Sequence, residues 1–183
     1  MIIEDLPIGY AYHKIICDHI ERPVDYEYIE VNSAFERYTG LNRTEILGKK
    51  VCDVLPGILD DKFNWIQEYG KVALNGEKKE FEQYSLFLNK WFRISVYSPE
   101  KFYFVTLFVD ITKDVKELHE QRLLISVADA YEAMTADRPY RKSISKLEAA
   151  QELSRNSGKQ FDPEIVQVFI EKVLNLKSIC RDS

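Results

Sequence analysis

The sequence is poor in the residues that build metal sites and covalent cross-links. It contains three histidines and three cysteines among 183 residues. The cysteines, Cys17, Cys52 and Cys180, lie far apart and form no C-x-x-C pair. We therefore expect reduced thiols in a cytoplasmic protein rather than a disulfide framework or a thiolate metal site.

Long apolar runs and an excess of positive charge are also missing. No stretch is long enough to span a bilayer, and the acidic Glu4 and Asp5 near the start do not fit a signal peptide. The net charge of −5 does not favour a phosphate backbone, so we expect neither a nucleic-acid nor a membrane partner. The 45% of hydrophobic residues is typical of a chain that folds around a core.

Up to about residue 112 the pattern indicates strands and short helices. Runs 9–18 and 24–32 are typical of strands, helical runs begin near residues 33, 42 and 60, and three more strands follow around Asn89. The order β-β-α-α-α-β-β-β predicts an α+β fold, with one five-stranded antiparallel sheet and helices on one face.

Polar residues suggest where the first three helices begin. We predict Ser33 with Glu36, and Asn42 with Glu45, as capping boxes. Either Asp60 or Asp61 is predicted to cap the third helix, and Gly40 and Gly48 are predicted to end the first two.

The stretch 111–137 lacks glycine and proline and predicts one long helix. Its apolar stripe changes side near Arg122, which favours a homodimer formed through the flanks of the first domain and this connecting helix. Two shorter helices follow, capped by Ser145 and Asp162 and forming a small helical segment. The predicted division is 1–112, 113–136 and 137–183. In the last helix we expect burial of four residues: Ile165, Val168, Phe169 and Val173.

The run "YIEVNSAFERYTGLNRTEILGKKVCDVLPG", followed by a helix and three strands ending in "FVDITKDVKEL", resembles a PAS domain over residues 7 to about 118. The resemblance implies a sensory and dimerisation module that holds a ligand between sheet and helices, or holds none. Cys52 lies in "KKVCDVLPG" and not in the "NCRFLQ"-like motif of flavin photosensors. The predicted central helix has no histidine for haem, and His13, His19 and His119 lie elsewhere, so we expect neither cofactor.

The aromatic residues of this region are the candidate pocket. If a small apolar or aromatic ligand binds, we expect it to contact Phe35, Tyr38, Phe63, Ile66, Tyr69, Phe81, Trp91, Arg93 and Phe104. Arg93 could meet a ligand carboxylate or reach solvent. The alternative is that the aromatic side chains only pack the core.

The run "VADAYEAMTADRPYRKSISKLEAAQELSRNSGKQFDPEIVQVFI" resembles the C-terminal end of HD-GYP domains, the cyclic di-GMP phosphodiesterases, over residues 124 to about 173. The resemblance implies that Asp129 matches a metal ligand, and that Arg138 and Arg141 match residues contacting substrate phosphate. No "HD", "HH" or "GYP" occurs in the chain, so we expect a vestigial fragment with neither metal nor catalysis.

Three functions follow from these patterns. The one we favour is a non-catalytic signalling protein in which a PAS module, with or without a small ligand, is joined to an inactive HD-GYP fragment and acts on a partner protein. One alternative is a cyclic di-GMP phosphodiesterase. The other is a cyclic-dinucleotide binder that uses Arg138, Arg141 and Lys142.

Overall fold

A computed structural model describes residues 3–137 and 142–176 of the chain. The chain divides into two compact units, Met1–Lys113 and Asp114–Ser183. No helix in the described ranges is long and apolar enough to cross a membrane.

The first unit is a five-stranded antiparallel sheet with helices on one face, which confirms the predicted fold class. The strands are β1 (Gly9–Cys17), β2 (Pro23–Val31), β3 (Lys79–Ser85), β4 (Lys90–Tyr97) and β5 (Tyr103–Asp110). Their order in the sheet is β2-β1-β5-β4-β3, so β1 and β5, distant in sequence, are paired at its centre. In that pairing His13 lies opposite Phe104.

Four helices and one 3-10 turn connect β2 to β3. They are α1 (Ser33–Thr39), α2 (Arg43–Ile46), α3 (Val51–Val54), the 3-10 turn (Pro56–Asp60) and α4 (Trp65–Asn75). The short helix α3 and the 3-10 turn were not predicted. Gly70 lets α4 approach the sheet closely, since a Cβ at this position would lie 2.2 Å from the Pro23 side chain.

Two of the predicted N-caps are wrong. Asn32, not Ser33, caps α1: its Oδ1 accepts from the Phe35 N–H at 2.9 Å, while the Ser33 hydroxyl donates to the Glu4 carbonyl. Asn64, not Asp60 or Asp61, caps α4 by accepting from the Gln67 N–H at 3.1 Å. In both cases two polar residues lie close together in the sequence. Only the folded structure determines which of them accepts from the N–H groups at the start of the helix.

The second unit has a small helical core. Its helices are α5 (Thr112–Thr135, which begins at the end of the first unit), α6 (Lys146–Arg155), α7 (Pro163–Val168) and a π-helical turn (Phe169–Val173). Ser145 and Glu148 form the predicted capping box of α6, and Asp162 caps α7 as predicted. Val127 of α5 is buried, with Leu124 and Tyr131 of the same predicted stripe packed around it.

The buried face of the last helical segment differs in part from the prediction. Phe169 is buried as expected, but Val168 and Val173 are exposed, and Val166 and Ile170 are buried instead. The π-helical turn at Phe169–Val173 widens the helical repeat there. The turn accounts for the exposed Val173, since Leu174 packs against the core instead, whereas Val166 and Val168 lie before it in α7.

Candidate functional site

A cavity of about 80 Å³ lies inside the first unit. Strands β1, β2, β4 and β5 supply one wall, and the helices and the β3–β4 hairpin supply the rest. The lining is formed mainly by aromatic and aliphatic side chains: Tyr26, Tyr28, Phe35, Leu41, Leu55, Ile58, Trp65, Tyr69, Phe87, Leu88, Phe92, Ile94 and Phe108, together with His13, Thr39, Asp61, Ser85 and Thr106. The space is large enough for more than one water molecule.

His13 is the lining residue with the most unusual chemistry. Its side chain is 3% exposed, and its Nδ1 has no hydrogen-bond partner. The imidazole stacks on Phe104, with ring centroids 4.6 Å apart, and meets Tyr26 edge-on at 5.0 Å. Burial lowers the pKa of His13 from 6.5 to about 3, and a hydrogen bond with the Phe104 backbone acts weakly in the opposite direction. The ring is therefore neutral at physiological pH.

Three buried tyrosines add polar atoms without adding charge. Burial is the main cause that raises the pKa of Tyr26, Tyr28 and Tyr69 above the ordinary phenol value. These phenols are therefore protonated, and they present polarised but neutral edges to the cavity.

Asp61 is the charged residue among those that line the cavity. Its carboxylate already accepts three hydrogen bonds, from the N–H groups of Phe63 and Leu86 and from Trp65 Nε1 at 2.9 Å. These bonds tie the segment before α4 to the β3–β4 hairpin. Asp61 thus acts in the wall itself, and the described residues that line the cavity include no lysine or arginine to attract an anion.

Seven of the nine predicted pocket residues lie on the inner side of the sheet. Phe35 and Tyr69 line the cavity. Ile66 and Phe104 are buried in the adjoining core, and Tyr38, Phe63 and Phe81 are partly buried against it.

Trp91 and Arg93 lie on the other face of β4. The buried residues of that strand are Phe92, Ile94 and Val96, so their neighbours in the alternation point away from the cavity. Arg93 is exposed and pairs with Glu82, Nε to Oε1, at 2.8 Å. It reaches solvent, which was one of its two predicted environments.

The sequence did not predict the polar lining residues His13, Thr39, Asp61, Ser85 and Thr106. His13 alternates with Ala11 and Ile15, both small or apolar and both buried. That period-two pattern was readable in the sequence and places the imidazole on the inner face.

The residues matched to HD-GYP positions do not assemble into a metal site in the described part of the chain. Asp129 is exposed on α5, as is His119 on the same helix. Arg138 and Arg141 lie outside the described residues. Across residues 3–137 and 142–176, no group of three His, Cys, Asp or Glu side chains is placed to hold a metal ion. The described residues therefore do not fit the di-metal centre of that family.

Cys52 lacks the electrostatic environment of a reactive thiol. Burial, followed by the negative charge of Asp25, raises the pKa of its thiol to about 11. Since the thiolate is the reactive form, Cys52 is protonated and inert at neutral pH.

Comparisons with known proteins give partial similarities. No family model matches the chain. A cyclic di-GMP phosphodiesterase of Thermotoga maritima is 32% identical over 66 residues, which are 36% of this chain and 18% of that protein. The chain thus spans under a fifth of the length of this curated relative.

Solved structures are similar over a larger part of the chain. An RNA-binding light-oxygen-voltage receptor is 20% identical with a TM-score of 0.47, covering 68% of this chain and 35% of that one. The PAS domain of Bordetella pertussis BvgS is 15% identical with a TM-score of 0.44, covering 66% and 91%. A domain of a Geobacter sulfurreducens sensory box histidine kinase/response regulator is 16% identical with a TM-score of 0.44, covering 60% and 88%. The first unit itself has a PAS-like fold, because its strands follow the order β2-β1-β5-β4-β3 and its helices lie on one face of the sheet.

Proposed function

We propose that the first unit is a sensory module that binds a small, largely apolar ligand in its internal cavity. The observation that carries this proposal is the cavity itself, which is lined mainly by aromatic and aliphatic side chains from the sheet and the helices. A bound molecule that fills this space accounts for it.

The connection to α5 supports a signalling role for the cavity. Phe108 of β5 lines the cavity, and the same strand leads directly into α5 at Thr112. The junction is held by short hydrogen bonds: Asp110 Oδ1 accepts from the Thr112 N–H, and the Thr112 hydroxyl accepts from the Trp91 N–H, both at 3.0 Å. A ligand that displaces β5 would move the start of α5 with it.

We assign the second unit a non-catalytic role, as a truncated HD-GYP fragment that relays the signal to a partner protein. The exposed Asp129 belongs to no group of three potential metal-ligating side chains among the described residues, which supports this assignment. The exposed Leu118 and Ile125 of α5 favour a homodimer formed through the connecting helix. We place the protein in the cytoplasm, without a membrane or nucleic-acid partner.

Native mass spectrometry of the purified protein tests the sensory function. We expect a non-covalent adduct of low mass on the native protein. Ile58 lines the cavity, so Ile58→Phe should fill part of it and abolish the adduct. Ile20→Phe introduces the same ring at an exposed position and should retain it. A native protein that carries the polypeptide mass alone, or an adduct kept equally by both variants, would contradict the proposal.

The second candidate is cyclic di-GMP hydrolysis, favoured by the 66-residue similarity to the Thermotoga maritima phosphodiesterase. We expect no hydrolysis with added Mn²⁺ or Fe²⁺, because several ligands are needed to lower the pKa of metal-bound water. Hydrolysis that is lost in Asp129→Asn would overturn the non-catalytic assignment. Calorimetry with cyclic di-GMP on the native protein and on Arg138→Ala tests binding without hydrolysis.

A further inference from the structure

The described lining of the cavity carries one formal charge, on the carboxylate of Asp61. Burial keeps His13 neutral at physiological pH by lowering its pKa to about 3, and it keeps the tyrosines of the lining protonated. The described lining residues include no lysine or arginine. An occupant therefore meets a negative group and no positive one.

The donors that already reach the Asp61 carboxylate are neutral. They are the N–H groups of Phe63 and Leu86 and the indole N–H of Trp65. No ion pair within the described residues includes Asp61. A carboxylate offers about four lone-pair sites, so these three bonds do not exhaust its capacity. Asp61 is also partly exposed, which leaves room for a further donor.

The rest of the lining suits a positive charge on an apolar body. Eight aromatic side chains besides His13 line the cavity, among them Trp65 and Tyr69. The faces of such rings attract cations, and tryptophan attracts them most strongly. The Trp65 indole N–H donates to Asp61 at 2.9 Å, so the carboxylate and the indole are neighbours.

Other kinds of occupant fit this lining less well. A carboxylate or phosphate would lose its hydration without an ion pair, and an uncharged molecule would leave the charge of Asp61 without a counterion. An inorganic cation needs several ligands, and no group of three potential metal-ligating side chains occurs in the described part of the chain. A small organic cation matches both the carboxylate and the rings.

The volume limits the size of that cation. The cavity of about 80 Å³ is between two and three times the roughly 30 Å³ that one water molecule takes up in the liquid. It therefore suits about three or four non-hydrogen atoms. A cavity that holds one benzene is about 150 Å³, nearly twice this size.

We propose that the cavity selects a short alkylammonium ion, whose N–H groups donate to Asp61 while its carbon chain packs among the aromatic rings. This inference rests on the proposed sensory function and adds the charge and the chemical class of the ligand. A hydrogen bond between two charged groups is stronger than one between neutral groups, so the ammonium end sets the selection.

Ethylammonium and ethanol are matched probes, because both join a two-carbon chain to a hydrogen-bond donor and they differ in charge. Proton NMR of the full chain follows the Trp65 indole N–H, which donates to Asp61. We expect a saturable shift with ethylammonium and an affinity about tenfold higher than for ethanol, as for one charge-assisted hydrogen bond. Trp91 lies on the outer face of β4, so its indole signal should stay in place. Trp91→Phe assigns the two signals.

Asp61→Asn tests the carboxylate, since it keeps the size of the side chain and removes the charge. The ethylammonium-to-ethanol affinity ratio should fall about tenfold in this variant. Asp60→Asn removes the same charge at the exposed neighbouring position and should keep the native ratio. Leu41→Phe fills part of the cavity, leaves Asp61 in place and should abolish the shift. Urea denaturation followed by tryptophan fluorescence confirms that each variant is folded.

Three results would overturn the selection of a cation in the cavity: equal affinities of the native protein for the two probes, an unchanged ratio in Asp61→Asn, or a shift that persists in Leu41→Phe. The native ratio needs no variant, so it decides the question even where Asp61→Asn does not fold. Equal affinities would still leave a ligand-binding cavity. If neither probe binds, the selection fails, and the adduct sought by native mass spectrometry decides the sensory function separately.

Discussion

The two units of the chain bury different kinds of core. Among the described residues, the main cluster of the first unit contains twenty buried hydrophobic side chains, including Trp65, Tyr69 and Phe104. The cluster of the second unit contains six, of which Phe169 is the aromatic one. The first unit contains a cavity among its aromatic rings.

This difference separates the roles of the units. Both units contain buried side-chain atoms without a hydrogen-bond partner among the described residues: His13 Nδ1 in the first, Tyr131 Oη and Ser154 Oγ in the second. Each such atom costs about 1–3 kcal/mol, which is a smaller share of the stability of a large core. A core of six residues has less reserve, and its helices depend more on their ends. The first unit is thus suited to ligand binding, while the stability of the second should be sensitive to its caps and to partners.

The largest effect is expected from removing the ring on which His13 stacks. Phe104 is fully buried and lies 5.1 Å from the ring of Tyr69. Phe104→Ala should lower the free energy of unfolding of the first unit by about 3–5 kcal/mol, through lost burial and a larger cavity. Both tryptophans, Trp65 and Trp91, lie in this unit, so urea denaturation followed by tryptophan fluorescence reports on it.

A change below about 1 kcal/mol would contradict a tightly packed aromatic core. Leu153→Ala, at a fully buried position of the second unit, serves as the comparison. It should be followed by far-ultraviolet circular dichroism, since that unit has no tryptophan.

The next effect tests the corrected cap of α1. Asn32 is buried, and its Nδ2 donates to the carbonyls of Ile3 and Ile8, both at 2.9 Å, while Oδ1 accepts from the N–H groups of Tyr10 and Phe35. Asn32→Ala should cost about 2–4 kcal/mol, since it leaves several buried backbone groups unpaired.

Ser33→Ala is the matched control, because Ser33 was the cap predicted from sequence. Its hydroxyl contacts the Glu4 carbonyl and Arg37 at the surface, so we expect a loss of at most about 1 kcal/mol. The same urea titration measures both variants. Equal losses in the two would show that Ser33 shares the capping role.

The sequence predicted the strands of the first unit well and the details of its site less well. The β1 and β2 runs were placed within one residue, because period-two alternation depends on local residues alone. Capping by Asn32 depends on Tyr10 and Ile3, which are distant in sequence, so neighbouring polar residues could not be ranked. In β4, both Trp91 and Phe92 are aromatic, and only the polar Arg93 and Ser95 indicate which face is outward.

The cavity itself could not be predicted, because its volume depends on how rings from several strands and helices meet. The sequence did predict aromatic side chains around the cavity, and two of the predicted residues, Phe35 and Tyr69, line it. The burial of His13 was also within reach, since it alternates with Ala11 and Ile15. Its unpaired Nδ1 was not, because that depends on the rings of Phe104, Tyr26 and Tyr28 that surround the imidazole.

The free energy of unfolding of the first unit should depend on pH, because its core contains a buried histidine. Burial lowers the pKa of His13 from 6.5 to about 3, so the unfolded chain binds an extra proton between these values. The stability that comes from keeping His13 neutral is present in full above pH 6.5 and is lost as the pH falls toward 3. Between pH 7 and pH 5 the free energy of unfolding should fall by about 2 kcal/mol from this residue.

His13→Phe should remove that slope, whereas His19→Phe, at an exposed position, should keep it. Urea denaturation at pH 7, 6 and 5, followed by tryptophan fluorescence, measures the three proteins. The difference between variants isolates His13 from the carboxylates that titrate at lower pH. An unchanged slope in His13→Phe would mean that the imidazole can be protonated without unfolding.

The smallest expected effect is that of removing a helix cap from the second unit. Because its core is small, one cap supplies a larger share of its stability than in the first unit. Ser145 accepts from the Glu148 N–H at 3.2 Å, and the Glu148 carboxylate accepts from the Ser145 N–H at 2.9 Å. Ser145→Ala should lower the free energy of unfolding by about 1 kcal/mol, seen as an earlier loss of helical circular dichroism in urea. Ser126→Ala, at an exposed position inside α5, should have no such cost, because alanine is the better helix former there. If Ser145→Ala leaves the helical transition unchanged, the six-residue core is sufficient without its caps, and the proposed contrast between the two units fails.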